Sequence, residues 1–158
     1  MLAAQHWLRG VRRIVSSTEH KALETAHMLA AALRLAVEPR EGIGENDRSA
    51  TGRLPPSEFQ ALADRFFAEP QHEVRGWESA VAAQARIVHG LADLLQPAAQ
   101  GDVVVLGHGG VGTLWYCHLA GLPISRRHDQ PSQGHYFQVD LASARPLHAW
   151  RPVDGTDY

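Results

Sequence analysis

The stretch Gly101–Gly121, GDVVVLGHGGVGTLWYCHLAG, constrains this chain more than any other. Val103, Val104, Val105 and Leu106 form an unbroken aliphatic run, the pattern of a strand covered on both faces in a parallel sheet. The run ends in Gly107-His108-Gly109-Gly110. Val111, Leu114, Trp115, His118 and Leu119 then recur at helical spacing. Strand, glycine turn and helix together aim a helix N-terminus at a bound anion, with His108 at the ligand-binding edge of the sheet. The same glycines are equally compatible with an ordinary tight turn and a histidine bonded to backbone.

The rest of the chain alternates in a way that extends this unit into an α/β domain. Arg12–Ser17 is expected to be a strand, and a helix should run from Thr18 or Ser17 as cap to about Leu35. Its packing face is Ala22, Ala26, Leu29, Ala30 and Leu33. Leu35–Glu38 should be a second strand. Residues 40–55, with three glycines and no apolar period, form a long loop of the kind that carries function. Two helices follow, Pro55–Phe67 and Trp77–Leu95, the second with Val81, Ala85, Val88, Ala92 and Leu95 inward and Pro97 as its stop. After the central stretch come a polar loop, Leu122–Gly134, and two strand candidates, His135–Leu141 and Pro146–Trp150, at the sheet edge. Leu2–Leu8 has the pattern of an amphipathic helix that opens without a cap. The expected architecture is one domain over 1–158: a mostly parallel sheet with helices on both faces, a three-layer sandwich.

Composition excludes several classes. A net charge of −2 gives no basis for nucleic-acid binding, and a single cysteine, Cys117, rules out an intrachain disulfide and a cysteine zinc site. The ten histidines form no HExxH-type ligand pair, so no metal or other cofactor is expected. No apolar run reaches membrane-spanning length and no signal segment follows Met1, which makes the cytoplasm the expected compartment.

Four separated stretches resemble the histidine phosphatases, the phosphoglycerate mutase-like family. Ser16-Ser17-Thr18-Glu19-His20-Lys21-Ala22-Leu23-Glu24-Thr25-Ala26 is similar to its SSxxxRAxxTA motif. Ile43-Gly44-Glu45, followed by Gly52, resembles its LxE loop. Gly76-Trp77-Glu78-Ser79 with Arg86 resembles its GES segment, and Val105–Val111 its VSHGGV turn. The resemblance implies metal-free phosphoryl transfer to a histidine and then to water. His108 would steady the phosphoryl oxygens and Glu45 would protonate the leaving alkoxide. Lys21 would stand where the family has a phosphate-clamping arginine, a mobile point charge in place of a planar fork. Ser17 and Gly109 would line the phosphate seat. Glu41 and Asp47 compete with Glu45, and Arg48, Arg53 and Arg75 are loop candidates for substrate contact.

One departure matters. The family's nucleophile is the histidine of an RHG motif ending the first strand, and no Arg-His-Gly occurs in this sequence; His6, His20 and His27 stand in the wrong context. The resemblance therefore implies a chain that starts late, lacks its first central strand and has negligible turnover. The alternative is a non-catalytic phosphate-binding or regulatory module. Its ligand would be a phosphorylated small molecule or phosphoprotein, and an exposed sheet edge would favour a homodimer by strand borrowing. An α/β-hydrolase reading of His108-Gly109-Gly110 fails because no GxSxG elbow is present.

Overall fold

The computed structural model describes residues 2–96 and 101–155. Three parallel strands form its sheet in the order β2–β1–β3: β1 is Val11–Ser17, β2 Val37–Arg40 and β3 Asp102–Leu106. Between them run α1 (His20–Leu33), α2 (Pro56–Ala68) and α3 (Ala80–Leu91), and α4 (Gly109–Ala120) leaves the end of β3. The β-rich tail has four two-residue strands, β4 (His135–Tyr136), β5 (Val139–Asp140), β6 (Arg145–Pro146) and β7 (Arg151–Pro152).

Pleating sorts the aliphatic runs onto two faces. Ile14 pairs with Val104, and both join the core under α1 with Ala26, Leu29 and Ala30. Val15 pairs with Val105, and both face the larger core built from Leu62, Phe66, Trp77, Ile87, Leu91 and Leu114. This is the expected three-layer α/β sandwich. Val11 shares the α1 face with Ile14 despite odd spacing because the register against β3 shifts between Val11 and Arg13.

Several expectations need correction. Leu2–Leu8 is two short 3-10 turns, Leu2–Ala4 and His6–Leu8, and the second lays Trp7 against Tyr136 at 4.5 Å. α3 begins at Ala80 because Ser79 caps it, its Oγ accepting from the Ala82 N–H, and it runs on as a 3-10 turn over Ala92–Leu95. Its buried face is Ala80, Ala83, Ile87 and Leu91, with Leu94 beyond it; Val81 is 39% exposed. The helix is so rich in alanine that apolar spacing gives the period and not the phase; the bulk of Ile87, Leu91 and Leu94 sets it. The stop assigned to Pro97 lies outside the described residues. The tail strands do not extend the main sheet: β4 pairs antiparallel with β7, and β5 with β6. β3 pairs with β1 alone among the described residues, so Val103–Leu106 is half-buried, not enclosed. No helix of the described residues is long and apolar enough to cross a membrane. Cys117 is fully buried in α4, where burial pushes its thiol up from the ordinary range, an inert environment.

Candidate active site at the end of β1 and β3

The parallel register delivers the ends of β1 and β3 to one corner, since Ser16 pairs with Leu106. Beyond them lie Ser17 and His108, and the chain turns into α1 and α4 there. His108 Nε2 is 2.9 Å from Ser17 Oγ, which also accepts from the Glu19 N–H. Ser16 and Ser17 are both fully buried, which fixes the hydroxyl against the ring. Glu19, at the N-terminus of α1, brings one carboxylate oxygen to 3.6 Å from His108 Nε2 and accepts the Glu45 N–H with the other at 2.8 Å. Glu19 is half-exposed and His108 largely covered.

The N-terminus of α4 is occupied by the protein itself. Glu45 places Oε2 on the Gly110 N–H at 3.0 Å and Oε1 on the Val111 N–H at 2.9 Å. Oε1 also accepts from the Asn46 N–H. A carboxylate at free helix N–H groups is the favourable pairing of charge and dipole that makes this end of a helix an anion seat. A β-carbon on Gly110 would lie 2.6 Å from Glu45 Oε1. Gly110→Ala is therefore expected to expel the carboxylate from α4 at a cost of about 1–3 kcal/mol, read as a lowered melting temperature. An unchanged melting temperature would contradict this clamp.

Arg86 of α3 holds the loop that carries Glu45. It spends all five guanidinium donors. Nε and Nη2 grip the Glu78 carboxylate at 3.0 and 2.8 Å. Nη1 donates to the carbonyls of Gly42 and Gly44, and Nη2 to that of Glu45. The Arg86 bond holds Glu78 below the usual carboxylate range, against the opposing effect of burial, and the same bond raises Arg86. On the other side, Asp129 accepts from Thr113 Oγ1 and from the Gln130 N–H, fixing the loop so that the Gln130 side chain lies over Gly109. Burial pushes the Asp129 carboxyl up.

Four of the five expected site residues thus meet: Ser17, Glu45, His108 and Gly109. Lys21 does not join them by any bond among the described residues; it is exposed in the first turn of α1, with its carbonyl accepting from Thr25 Oγ1. Gly109 lies under Gln130, a residue that no motif marks. Glu19 stands inside the SSxxxRA-like stretch at a variable position, so its role is visible only in three dimensions. A cleft of about 630 Å³ opens from Glu19 and Glu45 toward Asn46, Arg48, Arg53, Leu54, Phe59 and Trp77.

The described residues form a parallel α/β sandwich with a serine, a histidine and a carboxylate gathered at the strand ends. The family model of the histidine phosphatase superfamily (branch 1) matches residues 2–146, and the chain belongs to that superfamily. Solved structures share the fold. A mycobacterial glucosyl-3-phosphoglycerate phosphatase in complex with inorganic phosphate is 20% identical, with 98% of this chain and 84% of that one covered and a TM-score of 0.79. The α-ribazole phosphatase from Shigella flexneri is 15% identical, with 99% and 82% covered and a TM-score of 0.66. A protein described as mycobacterial hydrolase 1 is 24% identical over 79% of this chain, which spans 66% of that protein's length, at a TM-score of 0.65. No curated protein matches the sequence significantly.

Proposed function

We propose that the corner between β1 and β3 binds the phosphoryl group of a phosphate ester and serves its hydrolysis. The observation that carries this reading is the meeting of Ser17, His108 and Glu45 at one edge of the sheet. His108 Nε2 donates to a phosphoryl oxygen and stabilises charge as it builds there. The half-exposed Glu19 carboxylate swings away, and the phosphoryl oxygens take its place beside the ring. To protonate the leaving alkoxide, Glu45 must first take a proton from solvent on Oε2, giving up the Gly110 N–H while Oε1 keeps the Val111 and Asn46 N–H groups, and then pass that proton on. Superfamily membership and phosphatases among the structural relatives support the reaction class.

A second reading is favoured by one observation: no Arg-His-Gly run occurs in the sequence. On that reading the 158-residue chain is a phosphate-binding or regulatory module that recognises a phosphorylated small molecule or protein without turning it over. The two readings separate in one experiment. Both predict that phosphate or vanadate at a hundredfold excess over its Kd stabilises the chain by about 2.7 kcal/mol. Both also predict that His108→Ala abolishes the shift. Hydrolysis of an aryl phosphate at background rate favours the module; a robust rate that disappears in His108→Ala favours the enzyme and removes any need for an RHG histidine. No thermal shift with either anion would overturn both.

A further inference from the structure

Glu19 holds two parts of the empty corner at once. One carboxylate oxygen, Oε2, lies 3.6 Å from His108 Nε2, and the other, Oε1, accepts the Glu45 N–H at 2.8 Å. The backbone of Glu19 is fixed: its N–H donates to Ser17 Oγ, and its carbonyl accepts from the Ala22 and Leu23 N–H groups of α1. The side chain is 50% exposed, so the carboxylate alone is free to turn. Residue 44 makes room for it. A β-carbon on Gly44 would lie 2.8 Å from Glu19 Oε1, so a larger residue there would push the carboxylate off the Glu45 N–H. Turned outward, the carboxylate enters a cleft with cations to receive it. Arg48 and Arg53 line that cleft and form no ion pair among the described residues. The Arg48 guanidinium is preset there, 5.0 Å from the Phe59 ring centre and 5.6 Å from that of Trp77.

We propose that Glu19 is a positioning residue that interlocks the two halves of the site: it ties down the peptide carrying Glu45 while the corner is empty, and a phosphoryl group at His108 releases that peptide. The inference rests on the phosphate reading of the His108 corner and adds a regulation to it. A phosphoryl group bonded to His108 Nε2 comes against Glu19 Oε2. At contact distance in partly buried surroundings, repulsion between the two anions outweighs the single hydrogen bond from the Glu45 N–H that holds the carboxylate in place. Glu19 therefore turns out. Because one carboxylate makes both contacts, the Glu45 N–H loses its acceptor in the same movement. The Gly42, Gly44 and Glu45 carbonyls stay on Arg86, and the Glu45 carboxylate stays on α4 until it takes up a proton. With its own N–H untied, Glu45 lifts Oε2 from the Gly110 N–H against less resistance. The acid is thus readied only when a phosphoryl group is present.

The test is a titration of the isotopically labelled whole chain with inorganic phosphate, followed by proton–nitrogen NMR. As phosphate saturates the His108 ring signals, the Glu45 amide proton should move upfield and exchange with solvent about tenfold faster. Glu19→Gln removes the charge and keeps an acceptor, since Nε2 can face the phosphate while Oε1 holds the Glu45 N–H. That variant should bind phosphate about tenfold tighter, the worth of one displaced charge-assisted contact, and its Glu45 amide should keep its position on binding. Phosphate that shifts the His108 ring of the unaltered chain and leaves the Glu45 amide unmoved would overturn the inference and leave the phosphate site standing. So would a Glu19→Gln chain that binds phosphate no tighter than the parent. If the variant fails to fold, the Glu45 amide of the unaltered chain decides alone. A His108 ring that phosphate shifts in neither protein would overturn the phosphate reading and this inference with it.

Discussion

Arg86→Ala is expected to lower stability by about 2–3 kcal/mol, allowing for the arginine's 30% exposure. For a chain of this length that is a fall of roughly 5–10 °C in melting temperature. The loss has two parts. The Gly42, Gly44 and Glu45 carbonyls lose their donors, and the Glu78 carboxylate loses its cation. The second part depends on pH with a definite sign. Glu78 is held below its ordinary value of 4.5 in the folded chain. Its contribution is therefore complete at neutral pH and is lost as pH falls through the folded value. The gap between the unaltered chain and Arg86→Ala should be widest near pH 7 and should narrow below about pH 4.5. A gap that stays constant on acidification would contradict the Glu78 pairing. Loss of the clamp also frees the loop that seats Glu45, so the Gly110 and Val111 amides should exchange hydrogen faster.

Trp77→Ala should have the larger effect on stability, about 3–5 kcal/mol. Trp77 is 2% exposed and lies between Phe59 and Phe66, with Nε1 donating to Thr51 Oγ1 at 2.8 Å. Its removal opens a cavity in the main core, leaves the Thr51 hydroxyl without its donor and takes one of the two rings from under Arg48. Equilibrium unfolding in denaturant measures it: the midpoint should fall with little change in slope. Trp77→Phe should recover most of the loss, since it restores the aromatic packing and not the hydrogen bond. A Trp77→Ala variant within 1 kcal/mol of the parent would contradict the assignment of this ring to the core (about the scale of a surface change).

The sheet and its helices were legible in the sequence because strand and helix periods are local. Val103–Leu106 and most of the α1 face appear where their patterns place them. What local pattern cannot convey is the neighbour. The aliphatic run of β3 specifies a strand with two apolar faces; the pairing that leaves it at a sheet edge comes from the order of strands. Gly107–Gly110 indicates an anion seat, and the seat exists, but its occupant is Glu45, 65 residues earlier in the chain. Arg86 was marked by the GES-like segment, but its grip on the Gly42, Gly44 and Glu45 carbonyls shows only where the 42–45 loop folds over it. Lys21 shows the opposite limit: its place in a motif suggested a phosphate clamp, and the structure leaves it exposed and apart from the site's hydrogen bonds. Gln130 sits in a polar loop without any motif, so nothing in its surroundings could have marked it as the cover of Gly109.

The central claim is that the His108 corner holds the phosphoryl group, and a crystal structure of the chain soaked in vanadate tests it most directly. Vanadate oxygens should lie about 3 Å from His108 Nε2 and Ser17 Oγ, with the Glu19 carboxylate turned out and Glu45 still seated on α4. Vanadate bound elsewhere, or an empty corner with Glu19 still against His108 at saturating anion, would contradict the account.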